Sequence, residues 1–139
     1  KINKKMYLNS FNQVLSNLPK KKTILFAGIA YKENVDDIRN SPSLKLAKKL
    51  SHTYKVDLYD PLIEKKILNL ISIKKINNIR KKYDAVILGV KHQQFLKKNF
   101  LESLFKINKK LLIFDFNNII SEKIKNKKKF KKIKIINLT

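Results

Sequence analysis

Apolar positions in this chain fall into two patterns. Short, largely apolar runs at Ile24–Ala27, Val56–Tyr59, Ala85–Leu88 and Leu111–Phe114 each end at Gly or Asp. Such runs suit strands covered on both faces, as in a parallel sheet. Between them the apolar residues recur at helical spacing. Ile2, Met6, Phe11, Val14, Leu15 and Leu18 form one stripe, Leu44, Leu46, Ala47 and Leu50 a second, and Phe95, Leu96, Phe100, Leu101 and Leu104 a third. The spacing predicts helices over about 2–18, 42–51 and part of 93–105. Pro19 with Lys20–Lys22 ends the first, while Ser41 as N-cap and Pro42 at the first helical position open the second. Asp60-Pro61 reads as a turn and the start of a short helix to about Leu68. Ile71–Ile73 reads as a brief strand, Lys74–Lys82 as a short helix, and Ile133, Ile135 and Ile136 as part of a last strand. Strands alternating with helices predict one α/β domain with a mostly parallel sheet of five or six strands, preceded by a helix. Residues 1–20 are assigned to this leading helix, and 21–139 to the α/β domain.

The loop between the strand ending at Ala27 and the helix starting at Pro42 is long, since most such connections run about 2–6 residues. Lys32, Asp36, Asp37 and Arg39 crowd into it. In doubly wound sheets ligands bind beyond the carboxyl ends of the strands, where this loop lies. Helix-start N–H groups with Lys32 and Arg39 nearby suit a phosphate or pyrophosphate, the aspartates orienting the cations. The alternative is a solvated charged loop.

Composition narrows the field. The chain has 139 residues, is 43% hydrophobic, and contains no cysteine and two histidines, His52 and His92. Disulfides, thiolate metal sites and a cysteine nucleophile are therefore excluded within it, and no metal-ligand spacing occurs. No apolar run approaches the roughly 20 residues that span a bilayer. The formal charge of +23 invites a polyanion reading, but nearly all the cations are Lys, with Arg only at 39 and 80. Aromatic residues interleaved with Arg, the stacking pattern of nucleic-acid binders, are absent. No G-x-G-x-x-G occurs, and there are only two glycines, so an autonomous NAD site is not expected.

The segment Gly28-Ile-Ala-Tyr-Lys-Glu-Asn-Val-Asp-Asp-Ile-Arg-Asn-Ser-Pro-Ser43 resembles the G-x-[AT]-[FY]-K-x-[ND]-x-x-D-x-R-x-[ST]-P segment of the UDP-glucose/GDP-mannose (nucleotide-sugar) dehydrogenase family. There it opens the C-terminal, UDP-binding domain. Leu58-Tyr59-Asp60-Pro61, Tyr83–Leu88 and Ile113-Phe114-Asp115 match further pieces in order, so the resemblance covers nearly the whole chain. The Lys-His-Gln-Gln-Phe run at 91–95 is most similar to the branch acting on UDP-N-acetylhexosamines. The resemblance implies a Rossmann-like domain of a cytoplasmic, homodimeric, NAD-dependent UDP-sugar 6-dehydrogenase. Such an enzyme makes UDP-uronic acids for surface polysaccharides. The chain does not begin with Met, and the resemblance implies a dinucleotide-binding domain and a catalytic Cys ahead of it. NAD is then expected to be held mainly outside these residues, and the chain alone to turn over nothing.

Residue by residue, the resemblance gives Lys32 to the UDP-sugar and Arg39 to the cofactor pyrophosphate. Asp37 orients Arg39, for which a plain ion pair with Asp36 or Asp37 is the alternative, and Tyr31 packs on substrate or walls the cleft. Asn117 stands two residues after Asp115, where the family usually has Arg or Lys on the substrate site. This departure bears on specificity and on activity itself. His92 reads as an exposed, structural histidine. The reading from a different class is a non-catalytic basic α/β module binding nucleic acid or acidic glycans; a degenerate, inactive fragment is a third.

Overall fold

The computed structural model describes residues 4–64, 73–79, 82–108, 110–130 and 132–138. Strands β1 (Thr23–Ala27), β2 (Lys55–Tyr59), β3 (Lys74–Lys75), β4 (Ala85–Leu88), β5 (Leu112–Phe116) and β6 (Lys134–Leu138) form one sheet, ordered β3-β2-β1-β4-β5-β6. Every pairing is parallel. The four apolar runs of the sequence thus lie side by side at the centre, as their composition requires. Along β1 the side chains alternate faces: Ile24 and Phe26 join one core cluster, Leu25 and Ala27 the other. Both faces are covered, so no position in the run is polar.

Helices α1 (Lys4–Asn17) and α2 (Pro42–Leu50) cover the first face. Val14 of α1 and Leu44, Leu46, Ala47 and Leu50 of α2 are buried there with Ile24, Phe26, Ile87 and Phe114. The stripe in α2 follows the helical period, which is why these nine residues form a helix with one buried face. Ser41 caps it, its Oγ accepting from the Leu44 N–H at 3.1 Å. Helix α3 (Lys98–Phe105) covers the second face through Leu101 and Leu104. The one-turn helix α4 (Glu122–Lys125) and a 3₁₀ turn at Lys128–Phe130 follow.

Three expectations change. Pro61–Glu64 is a turn rather than a helix, with the Asp60 carboxylate accepting from the Leu62 N–H at 3.0 Å; the remainder of that expected helix lies outside the described residues. Ile73 precedes the strand instead of belonging to it, and Ile71 is not among the described residues. Lys74–Lys82 is not a helix where it is described: Lys74 and Lys75 pair with Asp57 and Leu58, and the Ile76 N–H donates to the Leu58 carbonyl at 2.8 Å. The edge of β2 offers ladder partners, and this pairing overrides a helix propensity worth only tenths of a kcal/mol per residue. The expected helix within 93–105 is a 3₁₀ turn (Gln93–Leu96) followed by α3, broken at Lys97 in extended conformation.

Candidate functional site

The strand order changes direction between β1 and β4, and both strands point their carboxyl ends at the same cleft, the position where doubly wound sheets take ligands. The cleft is about 290 Å³ and is lined by Tyr31, Lys32 and Glu33 after β1, Pro42 and Ser43 at the start of α2, Gly89 and Val90 after β4, and Asn117 after β5. Tyr31 is 43% exposed. The structure therefore brings Tyr31, Lys32 and Asn117 together on one cleft. Arg39 and Asp37 are not part of its lining.

The start of α2 is fastened to both strand ends. The Ser41 hydroxyl donates to the Ile29 carbonyl at 2.6 Å, and the Ser43 hydroxyl to the Gly89 carbonyl at 2.9 Å. Ser41 is legible from the sequence as a cap; its second bond, across the loop, becomes visible only in the fold.

Arg39 and Asp37 form a planar pair on the outside of the loop. Arg39 Nε donates to Asp37 Oδ1 at 3.0 Å and Nη2 to Oδ2 at 2.9 Å, and the Arg39 backbone N–H also donates to Oδ1 at 2.9 Å. The Arg39 side chain is 86% exposed. The Arg39 side-chain hydrogen bonds hold the Asp37 carboxyl down at about 2, and the same bonds push the guanidinium up. Of the two readings of Arg39, the ion pair with Asp37 is the one present, and it leaves one Nη directed to solvent. The loop itself is closed by the Tyr31 N–H donating to the Asp37 carbonyl at 2.6 Å, and Val35 and Ile38 pack against the core.

Beneath the loop lies a buried polar group made of Asp60 and His92, a turn residue and an exposed histidine by sequence alone. Asp60 and His92 are both fully enclosed, side chains 0% exposed. Asp60 Oδ2 accepts from the Ile29 N–H at 2.8 Å, the Ala30 N–H at 3.3 Å and His92 Nε2 at 2.9 Å. The N–H groups just after β1 are those that hold a pyrophosphate in dinucleotide-binding folds. Here an aspartate of the chain itself takes them.

Asn117 and Asn118 both have positive φ, 67° and 53°. Asparagine tolerates this conformation better than most residues. The turn is held by Asp115, whose buried carboxylate accepts from the Ile119 and Ile120 N–H groups at 3.0 and 2.9 Å. Burial pushes the Asp115 carboxyl up, and those two bonds oppose the shift. No group of metal-ligating side chains occurs among the described residues, and no helix among them is long and apolar enough to cross a membrane.

A six-stranded parallel sheet in this order, with a cationic loop at its switch point, defines a nucleotide-binding α/β domain. Residues 25–122 match the UDP-binding domain of the UDP-glucose/GDP-mannose dehydrogenase family, and the chain belongs to that family. It is 34% identical over 78 residues to a UDP-N-acetyl-D-glucosamine 6-dehydrogenase of Salmonella typhi, covering 52% of this chain and 18% of that protein. It is 31% identical over 105 residues to a UDP-N-acetyl-D-mannosamine dehydrogenase of Pyrococcus horikoshii, covering 75% of this chain and 23% of that one. Among solved structures, a UDP-N-acetyl-mannosamine dehydrogenase from S. aureus superposes with a TM-score of 0.66 at 25% identity, over 94% of this chain and 29% of the other. The chain thus spans a fifth to a third of these relatives. Nothing in the matches favours the polyanion-binding alternative.

Proposed function

We propose that the cleft between the β1 and β4 loops receives a UDP-sugar, as one half of the site of an NAD-dependent nucleotide-sugar 6-dehydrogenase. The observation that carries this reading is Lys32 on the cleft wall at the switch point, with no ion-pair partner among the described residues. A flexible ammonium there meets a diphosphate or an oxyanion near the sugar. Tyr31 supplies a flat wall and Asn117 a neutral hydrogen-bonding group. Arg39 faces outward, pre-aligned by Asp37, and suits the pyrophosphate of NAD held by a separate dinucleotide-binding region. In this reading NAD supplies the hydride acceptor, and this chain binds and orients. A UDP-N-acetylhexosamine is the proposed substrate, given the names of the relatives above. The working enzyme is proposed to be a cytoplasmic homodimer feeding surface-polysaccharide synthesis, and this chain alone to lack turnover.

The test is calorimetric titration of the chain with UDP and with UDP-N-acetylglucosamine. Saturable binding that Lys32→Ala weakens is expected, with little loss at moderate salt. Binding that collapses with salt regardless of Lys32 marks a nonspecific polyanion surface instead.

A further inference from the structure

The β1 loop and the β4 loop, the two walls of the cleft, are joined through one histidine ring. The Asn34 N–H donates to His92 Nδ1 at 3.0 Å, and the Gln93 N–H donates back to Asn34 Oδ1 at 2.8 Å. A backbone N–H can only donate, so Nδ1 must accept. The ring is therefore the neutral tautomer with its hydrogen on Nε2, and that hydrogen goes to Asp60 at 2.9 Å. Asp60 in turn holds the first residues of the β1 loop through Ile29 and Ala30. Asn34 has φ 59°, a left-handed conformation that asparagine tolerates better than most residues. Lys32 lies two residues before Asn34, and Val90 two residues before His92. The ring thus bonds directly to the middle of the loop that carries Lys32, at Asn34, and through Asp60 to the start of that loop at Ile29 and Ala30.

We propose that His92 is a positioning residue for the nucleotide: through its Nδ1 it fixes the Lys32 side of the cleft at the spacing a diphosphate needs, while Asp60 fixes the ring. This rests on the reading of the cleft as a UDP site. The two ring nitrogens can be tested separately, because an asparagine amide oxygen overlays Nδ1 and a glutamine amide nitrogen overlays Nε2. His92→Asn keeps the acceptor for Asn34 and gives up the bond to Asp60. His92→Gln keeps the donor to Asp60 and gives up the bond from Asn34.

Each variant of the full chain is titrated with UDP. Its melting temperature and the hydrogen exchange of the Asn34 amide are recorded alongside. His92→Gln is expected to weaken UDP binding about three- to tenfold, the factor a single hydrogen bond commands, and to speed exchange at Asn34. His92→Asn should hold affinity near wild type and keep the Asn34 amide protected. A merely structural histidine predicts that affinity follows melting temperature in both variants, and that result overturns the proposal. Unchanged Asn34 exchange in His92→Gln overturns it as well. If the wild-type chain fails to bind UDP while Asn34 responds as described, the ligand reading fails and the nucleotide-positioning role falls with it, although the latch itself stands.

Discussion

Gly28 and Gly89 lie against each other at the carboxyl ends of β1 and β4: a Cβ built on Gly89 would stand 2.6 Å from the Gly28 carbonyl oxygen. These are the only glycines in the chain. Gly28 also has φ +93°, and a Cβ there would lie 2.7 Å from the Val90 nitrogen. In both cases the atoms in the way include backbone, which cannot rotate aside. The two chain reversals at the switch point therefore each require the absence of a side chain.

Gly28→Ala combines a disfavoured backbone region with this overlap, and Gly89→Ala has the overlap alone. Each should destabilise the chain by about 2–4 kcal/mol, within the range for strain and overpacking, Gly28→Ala more. Chemical denaturation with the slope compared between variants checks this; a loss under about 1 kcal/mol would mean that the strand ends shift freely.

Lys32 and Arg39 should separate in the complete enzyme. Lys32→Ala is expected to raise the Michaelis constant for the UDP-sugar and lower turnover. Arg39→Ala should raise the constant for NAD and leave the UDP-sugar constant nearly unchanged. Steady-state kinetics with each substrate varied in turn decides it. Equal shifts in both constants for both variants would mean that the loop acts as one patch of charge.

Asp37 should titrate near its depressed value of about 2, readable from its carboxyl carbon resonance. With the folded value below the unfolded one of about 3.9, any stability it lends is present above that unfolded value and lost as pH falls towards 2. The pair is exposed on both sides, so Asp37→Asn should leave the melting temperature at neutral pH almost unchanged. It should instead raise the Michaelis constant for NAD in the same direction as Arg39→Ala.

Tyr83 is buried, and burial pushes its phenol well above the usual range, with the hydroxyl donating to Asp57 at 2.7 Å reinforcing the shift. Its folded value exceeds the unfolded value of about 10. The stability it contributes is therefore complete below pH 10 and is lost as pH rises above it. Tyr83→Phe should cost about 1 kcal/mol at pH 8. The gap between wild type and variant should narrow above pH 10 in paired thermal melts.

The four central strands could be read from the sequence because they are covered on both faces and so carry unbroken apolar character. The helix at Pro42 was legible because its cap, its proline and its stripe agree. Lys74–Lys82 was not, because its strand exists only through the ladder that β2 offers. Lys32, Tyr31 and Asn117 were placed by the motif and do meet on one cleft. His92 and Asp60 were undervalued because they are 32 positions apart, and no local spacing joins them. A signal was nevertheless present: Asp60 directly follows one predicted strand and His92 comes four positions after another, and parallel strands bring such positions to one edge of the sheet. Asn34 stands at the [ND] position of the motif, but its bond to His92 depends on a positive φ and on a partner 58 positions away, which no local spacing shows.

The Ser41 and Ser43 hydroxyls bolt the first turn of α2 to Ile29 and Gly89, and so to the ends of both β1 and β4. Mechanically, this makes the cleft a fixed jaw. Loop, helix and sheet edge share hydrogen bonds, so none of them swings without breaking the others. The exposed Arg39 guanidinium stands outside this jaw, clear of the residues that line the cleft.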